Sequence, residues 1–357
     1  MRPGRGGHAW VFLNWLLGLR SLGFDVTFVD RMAEPETRHI EWLGDVMRTA
    51  DADQRWGLTA RTRTYGSSRA EMESWFSECD VCIDVMGHAD PSLARLAPTS
   101  VFVDIDPGFG QLWQHLGQAK MFGRHTAYAT VGLGLASGAS RIPACGLDWI
   151  PTLPPVDLSE WPAATSSSGC FTSVATWRGP FDPITVDDDV LGLRVHQFRR
   201  FLDVPANVTV PIELALDIDP ADAGDRDALL RAGYGLVCPR RVTDTTGAFR
   251  AYVQHSAGEF CVAKDLYVRT TTGWFSDRSA CYLASGRPVV HHDTGLSGRF
   301  ELDGGLLLFE DPQSAATAIN AVVAEPEHHR TAARDFAARY LDARTVVADL
   351  LNRAGVS

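Results

Sequence analysis

The segment from Gly273 to Gly295 gathers residue types that bind anions and sugars: Gly-Trp-Phe-Ser-Asp-Arg-Ser-Ala-Cys-Tyr-Leu-Ala-Ser-Gly-Arg-Pro-Val-Val-His-His-Asp-Thr-Gly. Ser276, Asp277 and Ser279 are helix-capping types, and Gly286 suits the residue just past a helix end. The spacing predicts a helix over about 278–285 and a buried strand from Pro288 to Val290. Proline is tolerated at a strand's first position, where its missing N–H costs no ladder bond. A helix N-terminus directs free N–H groups and a positive dipole end at whatever lies before it. Arg278 adds charge there, and a diphosphate would fit without a metal. Past the strand, Asp293, Thr294 and Gly295 form an acidic, flexible loop suited to sugar hydroxyls. An ordinary, well-capped helix–strand unit explains the same letters equally well.

Two further cations precede strand or helix starts. Arg178 follows the apolar run ending at Thr176, and Lys264 follows Val262-Ala263. An Arg offers phosphate a bidentate fork and a Lys a point charge. The alternative is a solvated side chain, and Arg287 reads as a cap for the last carbonyls of its helix. Any reaction at a hydroxyl would need a group that takes its proton. The candidates are His8, after Gly6-Gly7, and Asp104 and Asp106, at the end of the apolar run from Ser100 and before Pro107-Gly108. The latter pair also suits a plain turn. Asp30 is a weaker candidate, and His88 and His125 read as solvated loop residues. His291-His292 lacks a companion ligand set, so no metal is expected. Gly4-x-Gly6 lacks the full dinucleotide fingerprint. Cys79 and Cys82 read as buried thiols.

The elements that must position these groups alternate between helix and strand. Apolar residues at helical spacing run from Trp10 to Leu22, with Gly23 as the terminator. Strands are expected over 25–30, 81–85 and 100–104, and helices around 35–49 and 110–122. A Pro- and Ser-bearing stretch from Ile150 to Gly169 reads as a linker. Beyond it, strands are expected at 170–176, 208–210, 265–268, 288–290 and 306–309, with helices at 222–232 and 312–324 and a helical tail over 326–353. Short apolar strands between helices imply parallel sheets covered on both faces. The fold class is therefore α/β, with two Rossmann-like domains, 1–162 and 169–330, facing a cleft. Only five residues precede Gly6-Gly7-His8, so the usual opening strand is missing from the sequence. An upstream reading frame encoding four to six apolar residues is expected, and a stop codon immediately upstream would oppose it.

Composition narrows the partners. The 357 residues carry a formal charge of -11, which opposes general binding to nucleic acid or anionic membranes. No window is long and apolar enough to predict a membrane span. Seven scattered cysteines fit a reducing cytoplasm.

Ala284-Ser285-Gly286-Arg287-Pro288-Val289-Val290 resembles the donor-binding helix and strand of GT-B glycosyltransferases. Ser276 to Ala280 with Asp293-Thr294-Gly295 resembles a little-characterised bacterial set of such proteins. Gly6-Gly7-His8, Asp104 to Gly108 and Trp177-Arg178-Gly179 extend the resemblance over most of the chain. It implies a transferase that uses a nucleotide-diphosphate sugar as co-substrate, a small-molecule acceptor and no other cofactor. By the same resemblance Arg178 neutralises the donor diphosphate, His8 matches the loop histidine of inverting members, and the tail (331–357) crosses back onto the first domain. A second-domain surface helix or a homodimer helix is the competing reading of that tail. The chain departs from retaining members, whose two glutamates fall here on Gly273 and Cys281, so the stereochemistry stays open. A nucleotide-sugar epimerase and a non-catalytic binding module are the alternative functions.

Overall fold

The computed structural model describes residues 1–52, 55–123 and 125–356. The first half builds β1 (Phe28–Arg31), β2 (Trp56–Thr59), β3 (Thr64–Tyr65), β4 (Cys82–Val85), β5 (Ser100–Asp104), β6 (Ala127–Thr130) and β7 (Trp149–Pro151). These form two separate sheets, β1-β2-β3 and β4-β5-β6-β7, parallel except for β3. The second half builds β8 (Phe171–Thr176), a small hairpin of β9 (Ile184–Val186) and β10 (Asp189–Leu191), then β11 (Ile212–Asp217), β12 (Gly235–Val237), β13 (Gly258–Cys261), β14 (Val289–His292) and β15 (Leu306–Phe309). Its main sheet is wholly parallel, in the order β12-β11-β8-β13-β14-β15. That is the doubly wound order, whose switch point lies between the first and fourth strands, here β8 and β13.

Four helices matter for the site. The opening helix, Gly6–Ser21, buries Trp10, Leu13, Trp15 and Leu16 and ends before Gly23, whose φ is +94°. The seam helix, Thr246–His255, packs against it from the second domain. The short helix Asp277–Ala284 buries every residue from Ser279 onward and stops at Gly286, in the left-handed region at φ +66°, where glycine carries no Cβ penalty. The closing helix, Ala343–Arg353, packs on the opening helix, so the chain ends on the domain where it began. The seam is close enough to require glycine: a Cβ on Gly6 would stand 2.1 Å from the Thr245 carbonyl oxygen, and one on Gly18 would stand 2.7 Å from Val347.

Three sequence expectations are corrected. Residues 265–268 form a helix, Asp265–Arg269, and the strand before it is β13. The apolar run is too short for periodicity to separate the two states, and Asp265 in the first turn favours the helix through its dipole. Val208 to Val210 stays outside the sheet; the strand, β11, begins after Pro211. The tail is two helices, Pro326–Tyr340 and Ala343–Arg353, divided at Leu341-Asp342. The Asp342 side chain caps the second by accepting from the Thr345 N–H at 3.2 Å.

Candidate active site

The candidate site lies where the carboxyl edges of both domains meet. On the second domain, the helix Asp277–Ala284 points its N-terminus into this space. Ser276 occupies the capping position without making a side-chain cap bond. The N–H groups of the first turn therefore lack intrahelical partners and remain available to an anion. Asp277 is partly exposed at this end. Burial raises its carboxyl to about 7; its own backbone N–H and Arg278 pull the other way, and Asp106 across the cleft adds to the rise.

Lys264 and Asp106 join the two domains. The Lys264 ammonium donates to both Asp106 carboxylate oxygens at 2.8 Å and lies 5.0 Å from the Phe109 and Tyr267 ring centroids. The Tyr267 hydroxyl also donates to Asp106. Lys264 and Tyr267 come together because they are three residues apart on one helical turn. A second ion pair spans the cleft, with Arg5 donating to Asp217 at the end of β11 at 3.0 Å.

Asp104 is buried and already satisfied. It accepts from Gln111 Nε2 at 2.7 Å, from the Thr130 hydroxyl at 3.0 Å and from the Asp106 N–H at 3.0 Å. Burial lifts its carboxyl to about 6 against those bonds. Asp104 thus holds the Asp106 loop in place. His8 sits in the first turn of the opening helix. Its Nδ1 accepts the Arg2 N–H at 3.1 Å, and its ring meets Phe12 edge-on at 5.2 Å and His88 at 6.5 Å. Burial, with the nearby N-terminal amine, His88, Arg2 and Arg5, lowers it to about 3. It is neutral near pH 7.

Several residues singled out from the sequence point elsewhere. Arg278 turns inward, onto Glu259 of β13 and the Val174 carbonyl, and Ser279 donates to Glu259 at 2.6 Å. Arg178 forms a bidentate pair with Asp222, both bonds at 2.6 Å, on the exposed rim. Asp293 accepts from Ser297, Leu296 and Gly295; burial would raise its carboxyl, but these bonds hold it below the usual range. Thr294 is buried and donates to the Trp274 carbonyl at 2.7 Å, bracing the loop ahead of the helix Asp277–Ala284. Gly295, at φ +96°, lets that loop pass close to Thr271. Arg287 caps the seam helix through the Gln254 carbonyl rather than its own helix. His125 is not solvated: its buried side chain meets Asp84 at 3.1 Å. His88 is exposed. His291 and His292 are buried, stacked on Phe275 and Phe309.

Solved structures resemble this arrangement along nearly its whole length. A glycosyltransferase involved in avilamycin A biosynthesis, AviGT4, is 14% identical with a TM-score of 0.53, covering 97% of this chain and 88% of its own. Anabaena Alr3699/HepE, solved with UDP and glucose, is 13% identical with a TM-score of 0.54, covering 92% and 98%. A glycosyltransferase from Rickettsia africae is 9% identical with a TM-score of 0.55, covering 98% and 94%. The chain has the GT-B fold. No family model matches it, and neither does any curated protein. Among the described residues, no helix is long and apolar enough to cross a membrane.

Within the GT-B frame, sequence reasoning missed Tyr267, Glu259 and Gln111. The signal for Tyr267 was present: read as helix, positions 264 and 267 share a face, whereas read as strand they fall on opposite faces. Glu259 and Gln111 act on residues distant in sequence, and no local pattern marks them. The cleft is also narrower than two facing domains require. The Gly134 N–H donates to the Thr272 carbonyl at 2.8 Å, and a Cβ on Gly134 would stand 2.1 Å from the Thr271 oxygen.

Proposed function

We propose that this protein is a glycosyltransferase that moves a sugar from a nucleoside-diphosphate donor to the hydroxyl of a small-molecule acceptor, without a metal. The observation that carries the reading is the uncapped N-terminus of helix Asp277–Ala284, where Asp277 feels the charge of the Asp106 that Lys264 holds, at the carboxyl edge of a doubly wound sheet. Such a terminus favours a diphosphate through its N–H groups and dipole. The fold is shared with glycosyltransferases, one of them solved with UDP and glucose, which supports the same donor class.

In this reading the donor diphosphate rests on the N–H groups at the start of that helix. Lys264 exchanges its Asp106 partner for a phosphate oxygen. Asp277, which titrates near neutrality, is protonated beside the diphosphate and donates to it. The bond from the anomeric carbon to the diphosphate oxygen breaks, and the acceptor oxygen bonds to that carbon. Asp106, released by Lys264, takes the acceptor proton. Asp104 positions Asp106 by holding its N–H, and neutral His8 lies on the acceptor side. Arg278 and Ser279 hold the helix Asp277–Ala284 on Glu259, and Thr294 braces the loop ahead of it through the Trp274 carbonyl.

Thermal unfolding with UDP, TDP, GDP, ADP and CMP, each with and without Mg²⁺, tests this directly. A ligand at about 100 Kd adds roughly 2.7 kcal/mol, which is a visible shift. The expected outcome is metal-independent stabilisation by one nucleoside diphosphate, followed by release of that nucleotide from its sugar conjugate when an acceptor is added. Stabilisation by none of them, or stabilisation only with Mg²⁺, would overturn the reading. Nucleotide binding without turnover would favour a binding module instead, and an isomeric donor without acceptor would favour an epimerase.

A further inference from the structure

The first domain has an empty lane between β1 and β4. A cavity of about 640 Å³ runs there, walled by Trp15, Leu16 and Leu19 of the opening helix, by Val29 and Ile83 of the two strands, and by Phe76. Among the described residues, β1 pairs only with β2, and β4 pairs only with β5. In a parallel ladder, alternate residues turn their N–H groups to opposite sides. Phe28 and Met32 donate to the β2 side at 3.0 and 2.9 Å, and Cys82 and Met86 donate to the β5 side at 2.9 Å each. Val29, Ile83 and Val85 therefore turn theirs into the lane. Val29 and Ile83 are only partly buried, although strands at the centre of a parallel sheet are buried on both faces, as every residue of β5 is. On the lane wall, the Trp15 indole N–H and Arg55 Nε are buried without a hydrogen-bond partner among the described residues.

The second domain shows what belongs in such a place. There β8 runs between β11 and β13 and makes one sheet of the strands on either side. The direction of the chain supplies the occupant. Met1 is buried, with its amine on Asp30 near the carboxyl end of β1. The four residues after it lead straight into the opening helix, which covers the lane. That is a strand-to-helix connection of ordinary length. We propose that the lane seats an apolar β-strand of about five residues that runs directly into Met1, parallel to β1 and β4, and joins the two sheets of the first domain into one. A peptide N–H at residue 1 then donates to Asp30, and no charged amine is buried; burial, with the charge of Arg2 beside it, already lowers that amine to about 5.

Two measurements test the proposal. Val-Val-Ile-Val-Val is fused directly before Met1, and hydrogen exchange is followed at Val29, Ile83 and Val85. Exchange at these amides is expected to slow at least 100-fold relative to chain 1–357, with a higher Tm, and a Lys-Glu-Lys-Glu-Lys fusion is expected to do neither. Independently, the intact mass of the protein purified from its own cells is expected to place the N-terminus several residues before Met1. A natural N-terminus at Met1 would overturn the proposal, as would an apolar fusion that folds yet leaves the three amides unprotected. Equal protection by the free pentapeptide, with a natural start at Met1, would overturn it in favour of a strand from another chain.

Discussion

Asp106 and Asp277 divide the proposed chemistry because their surroundings differ. Asp106 is shared between Lys264 and Tyr267, whereas Asp277 has burial and a neighbouring carboxylate against it. Asp106→Asn is expected to lower kcat by about 10²–10⁴-fold, the usual contribution of a positioned base, with little change in nucleotide Kd by calorimetry. Asp277→Asn keeps a donor over the helix N-terminus, so nucleotide binding is expected to survive and to lose its pH dependence. The parent protein is expected to bind more weakly as pH rises through about 7, when Asp277 ionises. The same substitution alters stability with a definite sign. The folded carboxyl titrates above its unfolded value, so the unfolded state binds fewer protons between about pH 4 and 7, and the parent loses stability as pH rises through that window. Thermal scans are expected to show Asp277→Asn more stable than the parent at pH 8 and the difference closing towards pH 4.

Glycine contacts, rather than large side chains, set the distance between elements across the cleft. Gly134→Ala would place a methyl against the Thr271 backbone oxygen, which the seam accommodates only by opening. A loss of about 1–3 kcal/mol is expected, as for other overpacked sites, with a larger radius of gyration by small-angle scattering and a raised donor KM. Trp10 anchors the other seam: its indole donates to the Thr246 carbonyl at 3.0 Å, and its ring meets Trp161 at 4.9 Å. Trp10→Ala is expected to cost about 3–5 kcal/mol in denaturant unfolding. At this scale the sequence was informative where caps and period agreed. The Gly286-x-Pro288-Val-Val text located a helix end and a strand start to within one residue, and Gly23 ended the opening helix. It misled where five apolar and charged letters, Asp265 to Arg269, suit either state, and that single error hid the pairing of Lys264 with Tyr267. Arg278 and Arg178 were legible as cations but not as paired ones, because Glu259 and Asp222 reach them only through the tertiary fold.

The whole molecule is two α/β units pinned by buried aromatic rings, by ion pairs across the cleft that include Lys264–Asp106, Arg5–Asp217 and Arg141–Asp189, and by a returning C-terminus. Two domains were legible because strand–helix alternation restarts after the Pro-rich stretch near 151–162. The closeness of their contact was not, since a glycine's neighbour across a seam leaves no trace in its own vicinity. Deleting residues 343–357 uncovers Gly18 and the opening-helix surface that Val347 and Ala343 cover. Limited proteolysis of that truncation is expected to cut the first domain before the second. The returning helix also has a consequence for recombination. A hybrid made by one splice near residue 165 would carry one parent's opening helix against the other parent's closing helix, a mismatched pair at every point where Gly18 meets Val347. Exchanging first domains between such proteins therefore takes two crossovers, the second near Leu341-Asp342, and a gene rearranged at only one of them inherits a foreign lid on its first domain.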